Sequence, residues 1–167
     1  MYLTRNQAYS QEYQGFKSLR LRQNFIIMTR INLIPVSELS DQHLMAEYRE
    51  LPRVVNGVLA GKFNSTNIPS KYVLGAGHVK FFTNKIIFLS ERYKKIYDEL
   101  VYRKFNPDPR YTPEGLFKKI TPENYVGDEK YKFSATDIAL SRQRIIEKIL
   151  MKPHWYRWTN RKKPKYA

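Results

Sequence analysis

The 167 residues are 42% hydrophobic, enough to bury one sizeable core in a single domain. With no cysteine, the chain excludes disulfides, thiolate catalysis and cysteine-held zinc or iron–sulfur sites, and three histidines leave little for a histidine-rich metal site. Thirty basic against 15 acidic residues give a net charge of +15 and a pI near 9.9, which points to a polyanionic partner, nucleic acid ahead of an anionic membrane surface. No apolar run approaches the roughly 20 residues that cross a bilayer, and the mean hydropathy is −0.60. Aromatic residues make up 14% of the chain, 13 of them Tyr, often beside basic residues. That mixture suits base stacking together with phosphate contact, although ordinary cores also use tyrosine.

In chain order, residues 1–27 hold four basic side chains against Glu12 and no sustained period, so they read as a flexible extension outside a domain of residues 28–167. Because most of the basic residues lie beyond that extension, the positive charge belongs to the domain itself. A helix is expected to open at Ser40, with Asp41 in its first turn and Leu44, Tyr48, Leu51 and Val55 on its apolar face. Pro52 should kink it. A second helical region is expected after Pro69, interrupted at Gly75 and Gly77 and resuming with Ile86, Leu89, Tyr93, Ile96 and Leu100 on one face. Residues 105–133 hold Pro107, Pro109, Pro113 and Pro122 and read as a long ordered loop. Ser134 with Asp137 then caps a third helix bearing Ile138, Ile145 and Ile149. No segment alternates with period two, so the expectation is a compact all-α domain of about three main helices with long loops.

On the first helix, Gln42, Ala46, Arg49 and Arg53 share one edge, and His43, Glu47 and Glu50 form the adjoining stripe. Periodicity alone reads this edge as a solvated face with local ion pairs.

The wording of the chain adds more. MTRINL at Met28, DQHLMAEYRELPR at residues 41–53, LGAGHVKFF at 74–82 and EKILMKPHWY at 147–156 are collinear. Together they resemble the phage-type pyrimidine-dimer DNA glycosylases, the dimer-specific endonuclease V family. The resemblance runs from Met28 to the C-terminus and is weaker over 56–68 and 105–133. It implies a DNA repair enzyme, a glycosylase and AP lyase, that excises cyclobutane pyrimidine dimers and nicks the abasic site by β-elimination through an imine. It maps the nucleophile to the α-amine of Thr29 and the essential carboxylate to Glu50. It places Arg30, Gln42, His43, Arg49 and Arg53 at the lesion-facing surface and Arg144 and Lys148 on phosphates. Trp155, Tyr156 and Trp158 fall in the family's aromatic C-terminal cluster, where they either stack against the lesion or pack onto the helices. Residues 161–166, RKKPKY, read as a mobile phosphate-binding tail, and His78 as a structural hydrogen-bonder.

The resemblance further implies no metal and no other cofactor, and with no apolar run of bilayer-spanning length and no long continuous basic amphipathic helix no membrane partner is expected. The partner would be duplex DNA containing pyrimidine dimers, the protein would act as a monomer, and its place would be the cytoplasm of a bacterial or virus-infected cell, with organelle targeting by the Arg-containing, acid-poor extension as the other reading. Elementary chemistry agrees with an α-amine: roughly 10–20% of it is neutral at pH 7, against well under 0.1% of an ordinary lysine, and only the neutral form attacks. The alternative is a non-catalytic basic duplex-DNA-binding protein, which leaves the MTR start and Glu50 without a purpose. A metal-dependent nuclease would need clustered carboxylates or paired histidines, and His43, His78 and His154 are dispersed. One departure from the family is that Thr29 is internal here, so its nitrogen is an amide. Initiation at Met28 followed by methionine removal is the favoured resolution. Removal of residues 1–28, or an extended form that is inactive or uses another amine, are the others.

Overall fold

The computed structural model describes residues 31–63, 67–121, 127 and 131–167. Ser40 keeps extended backbone angles (φ −64°, ψ 160°), and its hydroxyl accepts the His43 amide at 3.2 Å, so the chain turns there into helix α1, Asp41–Leu59. Pro52 sits within this helix without ending it. Leu44, Tyr48, Leu51 and Val55 are buried as expected, and so are Asp41, His43, Glu47, Pro52 and Val54. The helix is therefore enclosed on much more than one stripe.

No helix starts directly after Pro69, whereas the interruption expected at Gly75 and Gly77 is present. Residues 69–77 form turns and bends, and Gly75 adopts φ +84°, a left-handed conformation that no helix continues through. Helix α2, His78–Phe82, follows, and then α3, Ile86–Tyr102, which buries the whole expected stripe from Ile86 to Leu100. The segment expected as a long loop holds a 3₁₀ turn at Pro109–Tyr111 and helix α4, Pro113–Phe117. Two of its prolines stand in the first turn of these pieces, where the missing N–H costs nothing and the fixed φ suits a helix start. Helix α5, Ala135–Met151, opens with the expected capping box: Ser134 Oγ accepts the Asp137 amide at 3.1 Å, and the Asp137 carboxylate accepts the Ser134 amide at 2.9 Å. No strand occurs among the described residues, and three of the five α-helices are long, so the fold is all-α. No helix among them is long and apolar enough to cross a membrane.

Helices α1 and α3 run antiparallel. Asp41 at the start of α1 bonds Arg103 just past the end of α3 at 2.8 Å, while Glu47 meets Arg92, eleven residues earlier in α3. The Glu47 pair is bidentate, with Arg92 Nε to Oε1 at 2.9 Å and Nη2 to Oε2 at 3.0 Å. Both side chains are enclosed, Glu47 at 0% exposure and Arg92 at 6%. Arg103, equally enclosed, also bonds Glu99 at 2.8 Å and donates to the carbonyls of Val36 and Ser37.

The C-terminal residues are docked on this end of the helix pair, which corrects the expectation of a mobile tail at 161–166. Asp41 donates its amide to the Arg157 carbonyl at 2.8 Å, and its carboxylate accepts both the amide and the hydroxyl of Thr159. Trp158 Nε1 donates to the Glu38 carbonyl. Arg161 pairs with Glu99 at 2.7 Å and lies over the Tyr102 ring at 3.9 Å, and the Tyr166 hydroxyl donates to Glu38 at 3.0 Å. Glu99, enclosed near the end of α3, takes up the Arg161 charge of the tail in place of solvent.

Two consequences are measurable. Glu47→Gln leaves the Arg92 guanidinium buried without its countercharge and should lower unfolding free energy by about 3–5 kcal/mol in urea denaturation; Arg92→Met should do likewise, and the double variant should lose clearly less than the sum. Glu99 provides the second. Burial pushes its carboxyl up, but the bonds from Arg161 and Arg103 outweigh it and hold the pKa below the ordinary 4.5. Its contribution to stability is therefore complete above pH 4.5 and fades as the pH falls through the depressed folded value. Glu99→Gln should melt lower than the parent at pH 7, with the gap narrowing below pH 4.5.

Candidate nucleic-acid interface and active site

The segment of residues 31–34 is in no helix, and among the described residues there is no strand for it to pair with. Its backbone groups need other partners. Side chains of four helices supply them. The Ile31 amide donates to His78 Nε2 of α2 at 3.2 Å, and the Asn32 amide to Glu47 Oε1 of α1 at 3.0 Å. The Leu33 amide donates to Ser141 Oγ of α5 at 3.0 Å, and the Ile34 carbonyl accepts from Arg92 Nη1 of α3. The Asn32 side chain adds a 2.7 Å bond to Glu47 Oε2. Thr29 and Arg30 lie outside the described residues.

His78 performs the structural hydrogen-bonding expected of it. The Val73 carbonyl only accepts, so Nδ1 carries the proton in that 2.9 Å bond, and Nε2 is left to accept from Ile31. Burial pushes the imidazole below its ordinary 6.5 and the charge of Arg144 adds to this, while the Val73 bond and Glu47 oppose. The ring is accordingly kept neutral, as its acceptor role requires.

Glu50 is half-buried on α1, one turn beyond Glu47. Arg49 and Arg53 are exposed, one turn apart, and line a cavity of about 560 Å³. Tyr48, Pro52 and Asn56 of α1 form one wall, and Asn106, Asp108 and Tyr111 the other. The Tyr48 hydroxyl reaches the Asp108 carbonyl at 3.4 Å, tying the two walls together, and Arg110 holds the Asp108 carboxyl down to about 2. On α5, Arg144 and Lys148 follow Ser141 at i+3 and i+7, so both share the stripe that touches residue 33.

Gln42 and His43 are placed differently from the arginines. The Gln42 amide donates to the Trp155 carbonyl at 2.7 Å and accepts from the Arg157 amide at 3.1 Å, so both its ends hold the C-terminal segment. His43 is buried beneath Tyr156, their rings stacked at 4.6 Å and 9°, with Nδ1 2.8 Å from Ser40 Oγ. Trp155 remains 63% exposed beside them. Trp158 packs onto the helices, the role expected of at least one of the aromatic residues.

The sequence reading missed Glu47, Arg92 and Ser141 as the holders of residues 32–34. One signal was present. Arg92 follows Leu89 by one turn on the apolar stripe of α3, and Ser141 precedes Ile145 and Ile149 at i−4 and i−8, so each is a polar residue inside an apolar face. Among the described residues no group of three or more His, Cys, Asp or Glu is arranged to hold a metal ion.

Residues 28–113 match the family model of pyrimidine dimer DNA glycosylases. That span carries Thr29, the anchored segment, α1 with Glu50, Arg49 and Arg53, and both walls of the cavity. Covering more than half of the 167 residues, the match makes this chain a member of the pyrimidine dimer DNA glycosylase family.

Proposed function

We propose that the protein removes cyclobutane pyrimidine dimers from duplex DNA with the α-amine of Thr29 as nucleophile and Glu50 as proton-transfer carboxylate, and that it then nicks the strand as an AP lyase. The observation that carries this reading is the tie between Asn32 and Glu47. Glu47 stands one helical turn from Glu50, and Thr29 is three residues from Asn32, a chain reach of about 10 Å. The amine is thereby leashed to the helix that bears its carboxylate.

The steps balance without an external reagent. The amine lone pair attacks the sugar C1′ of the 5′ pyrimidine, and the C1′–N1 pair leaves with the base, which takes a proton. Loss of the amine proton and opening of the C1′–O4′ bond give the imine. Removal of a C2′ proton then expels the 3′ phosphate, and water releases the enzyme. Glu50 stabilises the developing cationic sugar and moves the protons.

Arg30, Arg49, Arg53, Arg144 and Lys148 contact phosphates around the lesion, and Trp155 and Tyr156 present aromatic surface to the duplex. Gln42 and His43 serve this surface from beneath, through the residues they hold. The cavity beside Arg49 and Arg53 receives a base extruded from the kinked duplex, with Tyr48 and Tyr111 as its aromatic wall.

A form beginning at Thr29 should incise ultraviolet-irradiated plasmid in EDTA, and borohydride should trap it covalently on dimer-containing duplex. The form beginning at Met1 should trap far less, and Glu50→Gln should abolish incision while leaving binding nearly intact. Binding without incision or trapping by the Thr29 form would instead identify a non-catalytic DNA binder. Arg49→Ala and Arg53→Ala should each weaken binding and make the slope of log affinity against log salt shallower by about one unit. Fluorescence titration across a salt series reads both.

A further inference from the structure

We infer that His78 is a positioning residue for the attacking amine, holding the Ile31 amide and so shortening the free chain between the core and the Thr29 nitrogen; this rests on the reading of Thr29 given above. The four bonds to residues 31–34 differ in how close they lie to the nucleophile. The Glu47, Ser141 and Arg92 bonds fix Asn32, Leu33 and Ile34, while the His78 bond fixes Ile31, two residues from Thr29. With the Ile31 nitrogen fixed, the Thr29 nitrogen lies within about 7 Å of a set point; with that bond removed the last fixed nitrogen is that of Asn32 and the radius grows to about 10 Å. The accessible volume rises roughly threefold from chain length alone, and the direction in which residue 30 leaves the core is lost as well.

The imidazole suits this task because both its nitrogens are committed. Val73 fixes the tautomer, and burial keeps Nε2 free of a proton, so the acceptor always faces the Ile31 amide. The edge contacts of the ring with Tyr72 and Phe82, at 5.6 and 5.2 Å between centroids, hold it in place. Ile31 is itself fully buried, so its side chain could anchor the segment without His78, and the experiment has to separate the two.

A pair of substitutions does so. His78→Gln keeps an acceptor at the reach of Nε2, whereas His78→Asn keeps only a donor toward Val73, and both lose the ring and its packing. In the full chain, amide hydrogen exchange should show Ile31 protection retained in His78→Gln and lost in His78→Asn, at similar melting temperatures. In the form beginning at Thr29, which keeps every contact described above, single-turnover borohydride trapping should be about tenfold slower for His78→Asn, with half-saturating DNA unchanged and His78→Gln near the parent. Equal trapping by the two variants, or loss in both proportional to their melting temperatures, would overturn the positioning role while leaving Thr29 as nucleophile. Absence of trapping by the parent would overturn the Thr29 reading and this inference together.

Discussion

The bidentate bond between Glu47 and Arg92 is the constraint on which the rest of the molecule depends. Taking two charges out of water is costly, and a matched apolar pair would often be as stable. What an apolar pair lacks is hydrogen-bonding capacity for a third party. Glu47 Oε1 receives the Asn32 amide as well as Arg92 Nε, Oε2 receives the Asn32 side chain as well as Nη2, and the remaining guanidinium nitrogen reaches the Ile34 carbonyl. An all-α protein has no edge strand to offer an extended segment. The buried ion pair supplies partners for the Asn32 amide and the Ile34 carbonyl, and together with His78 and Ser141 it seats residues 31–34 in the core.

A second network stands at the other end of the α1 and α3 pair. Arg103 joins Asp41 to Glu99, and the same two carboxylates bind Thr159 and Arg161 of the C-terminal segment. The N-terminal and C-terminal segments are thus secured by the same device, a carboxylate shared between an internal arginine and an incoming chain. Both segments also bury apolar side chains, Ile31 and Ile34 at one end and Trp158 and Tyr166 at the other, and in both cases the helix pair provides a preformed charge that the segment completes.

What could be read from the sequence was whatever is decided locally. The Ser40 cap, the Ser134 and Asp137 capping box and the stripe from Ile86 to Leu100 depend on residues three or four apart, and all three stand where expected. The interruption at Gly75 and Gly77 stands where expected, although no helix forms between Pro69 and Gly75, and 105–133 was read as loop throughout although a proline can begin a helix there. Of the polar holders of the N-terminal segment, His78 was read as a hydrogen-bonder and Arg92 and Ser141 carry the mark of polar residues in apolar faces, but their partners were not legible, since Glu47 is 45 residues from Arg92 and 15 from Asn32, and no period connects them. The basic tail failed for the same reason: a charge run gives no sign that Glu99 waits 62 residues away for Arg161. The candidate site residues came from the wording of the chain, and for Gln42 and His43 that wording gave the location without showing that both side chains face the protein's own C-terminal segment.

Helix α1 collects all of this on one rigid element. From Asp41 to Arg53, about 18 Å of helix, it holds the C-terminal segment through Asp41 and Gln42, the N-terminal segment through Glu47, and then presents Arg49, Glu50 and Arg53. No loop or hinge separates the anchor of residue 32 from the carboxylate one turn away. Under the proposed mechanism, an amine leashed to such a helix would meet its proton-transfer partner without any lid having to close, since rigidity of this kind favours a fixed attack geometry over adaptation. The sugar carbon would then have to be brought to the amine. On that proposal the duplex is the more deformable partner, especially at a weakly stacked lesion, and the energy of bending and base extrusion would separate damaged from undamaged DNA. Arg49 and Arg53, exposed at the mouth of the cavity, stand where phosphate attraction can offset that deformation.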